Sequence, residues 1–561
     1  MENIKKLISE IYGSERSDRI IERINTLIRK YKSELKDNKP IPELSEQSIA
    51  LICYADNIYS PDEKSLKIMG HFFIDNLQET ISYIHFLPFY PFTSDDGFAV
   101  QNFYKVKEEY GAWRDIEEIG EQFNLIFDAV VNHISSKHQW FLEYLTGNPK
   151  YKDYFIEMDE NADVSSVMRA RDLPLLNRYN KKGKDLYLWT TFSDDQLDLN
   201  YKNPTVLLEM LEILLFYISK GATIIRLDAI AYIWKRMNSS CINLPETHQI
   251  IRLTRQVIDK VKNGLLLLPE ANVPSKENLE YFGDGANEAQ LIYQFSTSPL
   301  VLFTFYTGNA DRILTYLENL PVLSKNNHFF NVLATHDGIG LWPVRDILKS
   351  DEIDLIIAEI KKRNGIISFK SEKDGSKTPY ELNITYFAAL QDAKSTAEHN
   401  IDKFIAAHAI LLSIQGFPAL YFHSLFGTRN DDEGYDVTGQ PRRLNRKKFE
   451  YSELRRLLED CSTQEARVFS KMKHLLKIRQ TQPAFHPNST QKVLRVSGSI
   501  FSIIRGESDN ILVLINISDR NLSIKLPTEY TQSKFINIID NSYKNYELKI
   551  GPFEVLWLKS L

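Results

Sequence analysis

Two stretches at the start of the chain place apolar residues at helical spacing. Ile4, Leu7, Ile8 and Ile11 form one stripe, and Ile20, Ile21, Ile24, Leu27 and Ile28 form another. They predict a polar N-terminal helical extension over residues 1–48. From residue 49 the rhythm changes, and short apolar runs of strand type alternate with longer helical stretches. The runs are IALICYA (49–55), YIHFLP (83–88), NLIFDAVV (124–131), ATIIRLDA (222–229), GLLLLPEA (264–271), AQLIYQF (289–295), FFNVLATHD (329–337) and PALYF (418–422). Strands buried on both faces read as continuous apolar runs, and strand–helix alternation predicts a parallel sheet. Eight such runs predict an α/β fold, a (β/α)8 TIM barrel over residues 49–484. Two connections are too long for simple loops. Residues 134–190 predict an inserted subdomain and residues 338–400 a second, lid-like insertion. Beyond 485 the segments shorten and alternate (KVLRVSG, IFSIIRG, NILVLINIS, FEVLWLK), which predicts a C-terminal antiparallel β domain over 485–561.

Polar residues gather where the runs end. Asp56 follows the first, Asn132 and His133 the third, Arg226 and Asp228 close the fourth, Glu270 the fifth, and His336 and Asp337 the seventh. In an eight-stranded barrel these ends converge on one face, where such enzymes hold their chemistry. Each residue alone reads as an ion pair, a helix cap or a loop anchor; together, in barrel order, they read as a site. Retaining cleavage of a glycosidic bond needs two carboxyl groups roughly 5 Å apart, one to attack and one to protonate the leaving oxygen. Asp228 and Glu270 end neighbouring strands and suit those roles. Arg226, two residues before Asp228, shares its face and can keep it ionised, and an apolar surrounding such as Leu267 and Leu268 can raise Glu270. Asp337 would stabilise positive charge on the sugar ring, and His133 and His336 suit sugar hydroxyls.

Composition narrows the reading. The net charge of −6 does not suit nucleic acid. No apolar stretch is long enough for a membrane span, and no secretory leader is visible at the N-terminus. Cys53, Cys241 and Cys461 form neither a disulfide framework nor a metal pattern. These features predict a cytoplasmic protein, a monomer or homodimer, with no metal and no cofactor.

DAVVNH (128–133), IIRLDAI (224–230), LLPEAN (267–272) and ATHDGIG (334–340) resemble, in order, the four signature segments of the α-amylase superfamily. FLPFYPFTSDDGF (86–98), TTFSDDQLDLNY (190–201) and PYELNITYFAAL (379–390) are similar to its sucrose phosphorylase branch, and DGSKTPYELNITYF with the N-terminal extension to the glucosylglycerate phosphorylases within it. The resemblance covers residues 49–485. It implies a retaining phosphorylase that converts a small α-glucoside and inorganic phosphate to α-glucose 1-phosphate through a glucosyl-enzyme. Asp228 would be nucleophile, Glu270 acid/base and Asp337 transition-state stabiliser. Asp95, His133, Arg226, His336 and Arg446 would grip the glucosyl unit, with Phe98 as an apolar platform. Arg171 and Tyr380 match positions near phosphate and acceptor. Glu381 stands where the sucrose enzymes carry glutamine, and Trp342 follows THDGIGL. Glycerate, glycerol, fructose or fructose 6-phosphate stay open as the acceptor. A retaining α-glucosidase or transglucosidase would use the same carboxylates.

Overall fold

A computed structural model of the chain describes residues 1–35, 40–169, 171–371 and 376–561. Eight parallel strands form the barrel: β1 (Ala50–Cys53), β2 (Tyr83–Phe86), β3 (Asn124–Val130), β4 (Ala222–Asp228), β5 (Leu266–Pro269), β6 (Leu291–Tyr293), β7 (His328–Asn331) and β8 (Phe417–Tyr421). Their order around the sheet is β5-β4-β3-β2-β1-β8-β7-β6, all pairs parallel. The eight predicted runs are these strands. β7 ends at Asn331, so His336 and Asp337 stand on the loop beyond it rather than on the strand.

The ring is nearly closed. β5 and β6 exchange no ladder hydrogen bonds, but the seam between them is not left unsatisfied. The buried Leu267 N–H donates to the Gln290 side-chain oxygen at 3.0 Å, as a buried backbone donor requires.

The helix before β4 shows how local chemistry sets a site strand. Asn203 caps it by accepting from the Thr205 N–H at 3.0 Å, and Pro204 begins it. Its apolar residues run almost all the way round, from Val206 to Ile218, so it is covered on its outer side as well. The cover comes from the N-terminal hairpin of α1 (Glu2–Tyr12) and α2 (Ser14–Glu34). Tyr12 Oη donates to the Tyr201 carbonyl at 2.9 Å and Lys30 pairs with Glu212 at 2.9 Å. Gly221, at φ +99°, then turns the chain into β4.

Two excursions from the C-terminal face build the walls above the barrel. After β3, His133–Ser135 pairs antiparallel with Gln196–Asp198, and Glu157–Met158, Leu176–Lys181 and Lys184–Trp189 form a small sheet. After β7, Ile339–Gly340, Ile366–Ser371 and Lys377–Asn383 form another antiparallel sheet. The C-terminal domain is antiparallel throughout, six strands in one sheet and two in another. Among the described residues, no helix is long and apolar enough to cross a membrane.

Candidate active site

Strand register assembles the centre of the site. Arg226 on β4 lies opposite Asp128 on β3 and Leu268 on β5. Two steps along β4, Asp228 faces the same way, and Glu270 follows the end of β5 at that height. Arg226 is almost fully buried and binds all of them. Its Nη1 lies 2.6 Å from Asp128 Oδ1 and 2.8 Å from Asp228 Oδ1, and its Nη2 lies 3.9 Å from Glu270 Oε2. Nε donates to Tyr293 Oη on β6 at 3.2 Å. His85 on β2 closes the cluster, 3.2 Å from Asp128 Oδ2. Ala229 adopts the left-handed conformation at φ +48° and turns its N–H onto Glu270 Oε2 at 2.9 Å.

One buried guanidinium facing three carboxylates sets their protonation. Burial raises Asp228, and Asp128 and Glu270 push it further, while Arg226 opposes them. Burial also raises Glu270, with Arg226 opposing and Asp337 adding. Burial acts upward on Asp128 too, but Arg226 and His85 outweigh it and hold Asp128 low. Burial thus pushes both Asp228 and Glu270 toward their protonated forms, and the arginine opposes it at both. Its contact to Asp228 is a 2.8 Å ion-paired hydrogen bond, and its approach to Glu270 is 3.9 Å. The shorter contact favours charge on Asp228 over charge on Glu270.

Asp337 is held low against its burial by Arg442, His336 and Arg446. Arg442 pairs with Asp337 through Nη1. It also grips Glu381 with a fork, Nε to Oε1 and Nη2 to Oε2, both at 2.9 Å. Glu381 further accepts the Gly338 N–H at 2.5 Å. A Cβ on Gly338 would stand 2.5 Å from Glu381 Cγ, so the glycine in THDGIG is what lets the carboxylate close on the chain.

The segment Ser94–Phe98 forms the opposite wall. Asp95 and Asp96 both adopt positive φ, +52° and +48°, a strained pair held by arginines. Arg171 reaches Asp95 at 2.8 Å and Arg446 reaches Asp96 at 3.0 Å. Gly97 at φ +118° leaves no room for a side chain, since a Cβ would lie 2.5 Å from the Pro88 carbonyl oxygen. Gly97→Ala is expected to cost about 3 kcal/mol of stability, read by denaturant unfolding. A loss under about 0.5 kcal/mol would show that the turn relaxes freely. Phe98 stacks on His336, centroids 4.7 Å apart and planes 7° apart. His133 Nε2 lies 3.0 Å from the Phe98 carbonyl oxygen. Burial lowers His133 to about 4 and His336 to about 3, so both are neutral near pH 7.

These groups line a cavity that opens to solvent. Of the residues singled out in the sequence, Asp228, Glu270, Asp337, Asp95, Phe98, His133, His336, Arg171, Tyr380 and Glu381 line it. Arg226 and Arg446 do not. Arg226 lies beneath the carboxylates, and Arg446 lies behind Asp96 and the His336 carbonyl, to which it donates at 2.8 Å. Trp342 stands outside the cavity wall, its ring 4.6 Å from Lys370 Nζ. The lining also includes Arg442, Tyr232, Phe192, Gln196 and Asn272, none of which stood out in the sequence. Among the described residues, no group of three His, Cys, Asp or Glu side chains is placed to hold a metal ion.

A parallel eight-stranded barrel with its carboxylates gathered on one arginine at the strand C-termini defines an α-amylase-type catalytic domain. The family model for the α-amylase catalytic domain matches residues 73–337. Over the whole length of both proteins the chain is 38% identical to a glucosylglycerate phosphorylase of Escherichia coli. It is 41% identical to one from Allomeiothermus silvanus, covering 92% of this chain and 93% of that protein. A solved sucrose 6F-phosphate phosphorylase from Thermoanaerobacter thermosaccharolyticum superposes with a TM-score of 0.75 at 22% identity, over 90% of this chain and 99% of that one. The chain belongs to the α-amylase family, in the group that contains these phosphorylases.

Proposed function

We propose that the chain is a retaining glucoside phosphorylase acting on glucosylglycerate, releasing glycerate and forming α-glucose 1-phosphate. The observation that carries the chemistry is the single arginine shared unequally by Asp228 and Glu270. Asp228, ionised, attacks the anomeric carbon, while Glu270 protonates the departing glycerate oxygen, and a glucosyl ester forms on Asp228. Phosphate then attacks the same carbon from the side the acceptor left, giving a proton back to Glu270, and Asp228 departs as a carboxylate. Two inversions give net retention. Asp337, kept ionised by Arg442, faces the ring where positive charge develops in each transition state. Asp95, His133 and His336 hold the sugar hydroxyls against the Phe98 face.

The cavity wall supports an anionic acceptor. Arg171 reaches the lining, and a guanidinium matches a carboxylate or a phosphate, while Arg442 is already committed to Asp337 and Glu381. Full-length similarity to proteins named for glucosylglycerate supports glycerate over glycerol or fructose. The test is phosphate release from α-glucose 1-phosphate with glycerate, glycerol, fructose, fructose 6-phosphate, or water alone. Glycerate is expected to give the fastest release. Equal release in water alone would instead make the protein a hydrolase, and a preference for glycerol would remove the anionic acceptor.

A further inference from the structure

Asn272 lines the cavity two residues beyond Glu270, the group that hands its proton to the acceptor oxygen. Its amide oxygen is shut from solvent and has no hydrogen-bond partner. A Cβ on Gly340 would stand 3.0 Å from both Oδ1 and Nδ2, so the amide lies flat against the chain there, and Gly340 is paired with Glu381. Other lining groups with N–H donors are engaged. Arg442 is committed to Asp337 and Glu381, Arg171 reaches Asp95 at 2.8 Å, and the Gln196 amide nitrogen lies 3.1 Å from His133 Nε2. Among the described residues, nothing accepts from the Asn272 NH₂. A buried amide with neither end satisfied by the protein asks for a partner from outside it.

We infer that Asn272 is a specificity-determining residue whose NH₂ donates to the carboxylate of the acceptor. This role rests on the reading of glycerate as acceptor, and it adds the group that tells glycerate from a neutral polyol. Oδ1 is the end turned from solvent, which leaves the NH₂ as the end an incoming molecule meets. An amide NH₂ offers two hydrogens and no lone pair. Its bond to a carboxylate is roughly twice as strong as its bond to a hydroxyl, so it favours the anion. The place also explains why an amide rather than a cation stands here. A lysine or arginine beside Glu270 would favour the ionised carboxylate and strip the proton that Glu270 must give. Burial raises Glu270, and Arg226, at 3.9 Å, already opposes this. A neutral donor recognises an anion without adding to that opposition.

The test measures KM for glycerate and for glycerol in synthesis from α-glucose 1-phosphate, in wild type, Asn272→Ala and Asn272→Asp. The wild-type ranking tests the acceptor reading by itself, and a preference for glycerol would end that reading and this role together. With glycerate preferred, Asn272→Ala is expected to raise the glycerate KM about 10-fold relative to the glycerol KM, the worth of a hydrogen bond to a charged group. Asn272→Asp sets a like charge against the carboxylate and is expected to raise that ratio about 100-fold. Glycerate and glycerol weakened alike would overturn the inference. So would an equal loss of fluoride release from α-glucosyl fluoride in water, where no acceptor binds and only a disturbed glucosyl site shows. Phosphate brings the same anionic chemistry to the same space, and its KM in phosphorolysis separates the two. A rise for phosphate without one for glycerate would assign the amide to phosphate and overturn the role proposed.

Discussion

Asp228→Asn is expected to lower turnover by about 10⁴-fold or more, in both directions of the reaction, while the folded barrel persists. The substitution preserves the shape of the side chain and its contact with Arg226, but a neutral amide does not form the glucosyl ester. Arg226 keeps Asp128 at 2.6 Å, so the buried guanidinium retains a counter-charge and the core is not left with an isolated cation. Initial rates of phosphate release, alongside thermal unfolding, check both parts. Activity within a hundredfold of wild type would remove Asp228 from the role of nucleophile. Collapse of the fold would show that the Asp228–Arg226 contact is needed structurally.

Glu270→Gln is expected to fall by about 10³-fold on glucosylglycerate, the usual worth of general acid catalysis. The loss depends on what leaves. Glycerate oxygen departs poorly without a proton, whereas fluoride from α-glucosyl fluoride needs none. The variant is expected to keep most of its rate on the fluoride with phosphate as acceptor. Its pH profile carries a second signature. Burial raises Glu270, so in wild type the acid form persists upward from the ordinary carboxylate range, and kcat/KM falls as pH passes the raised value. Removing the titrating group is expected to abolish that alkaline limb. Equal losses on both substrates, with the limb intact, would place the proton donor elsewhere.

The barrel was legible because a strand buried on both faces cannot hide its composition, and because polar residues at its end have nowhere to go but the shared mouth. Asp228, Glu270 and Arg226 stood out for that reason. Asp128 and His85 did not, although both interrupt apolar runs. A charged residue in the middle of a buried strand must find a partner, and the only arginine on a neighbouring run was already assigned to Asp228. Reading β3 against β4 in register would have joined them. Arg442 gave no such signal. It sits in Pro441–Asn445, a short 3₁₀ segment of a long connection, where no periodicity points a side chain anywhere. Arg446, which the family resemblance implies as a sugar contact, lies behind Asp96, 3.0 Å from its carboxylate.

Arg226 also bears on how the chain reaches this structure. Its partners come from β3, β4, β6 and the end of β5, and the Asp128 contact spans 98 residues of sequence. A shift of one residue along any of these strands would turn its polar side chain outward and strand a guanidinium in the apolar interior. Apolar strands rich in Ile, Leu and Val tolerate such slippage poorly but do not forbid it; the buried charge does. The cluster thus acts as a proofreading device for strand alignment, rewarding only the closed ring with every strand in step, and a chain that has closed correctly has by the same act assembled its chemistry.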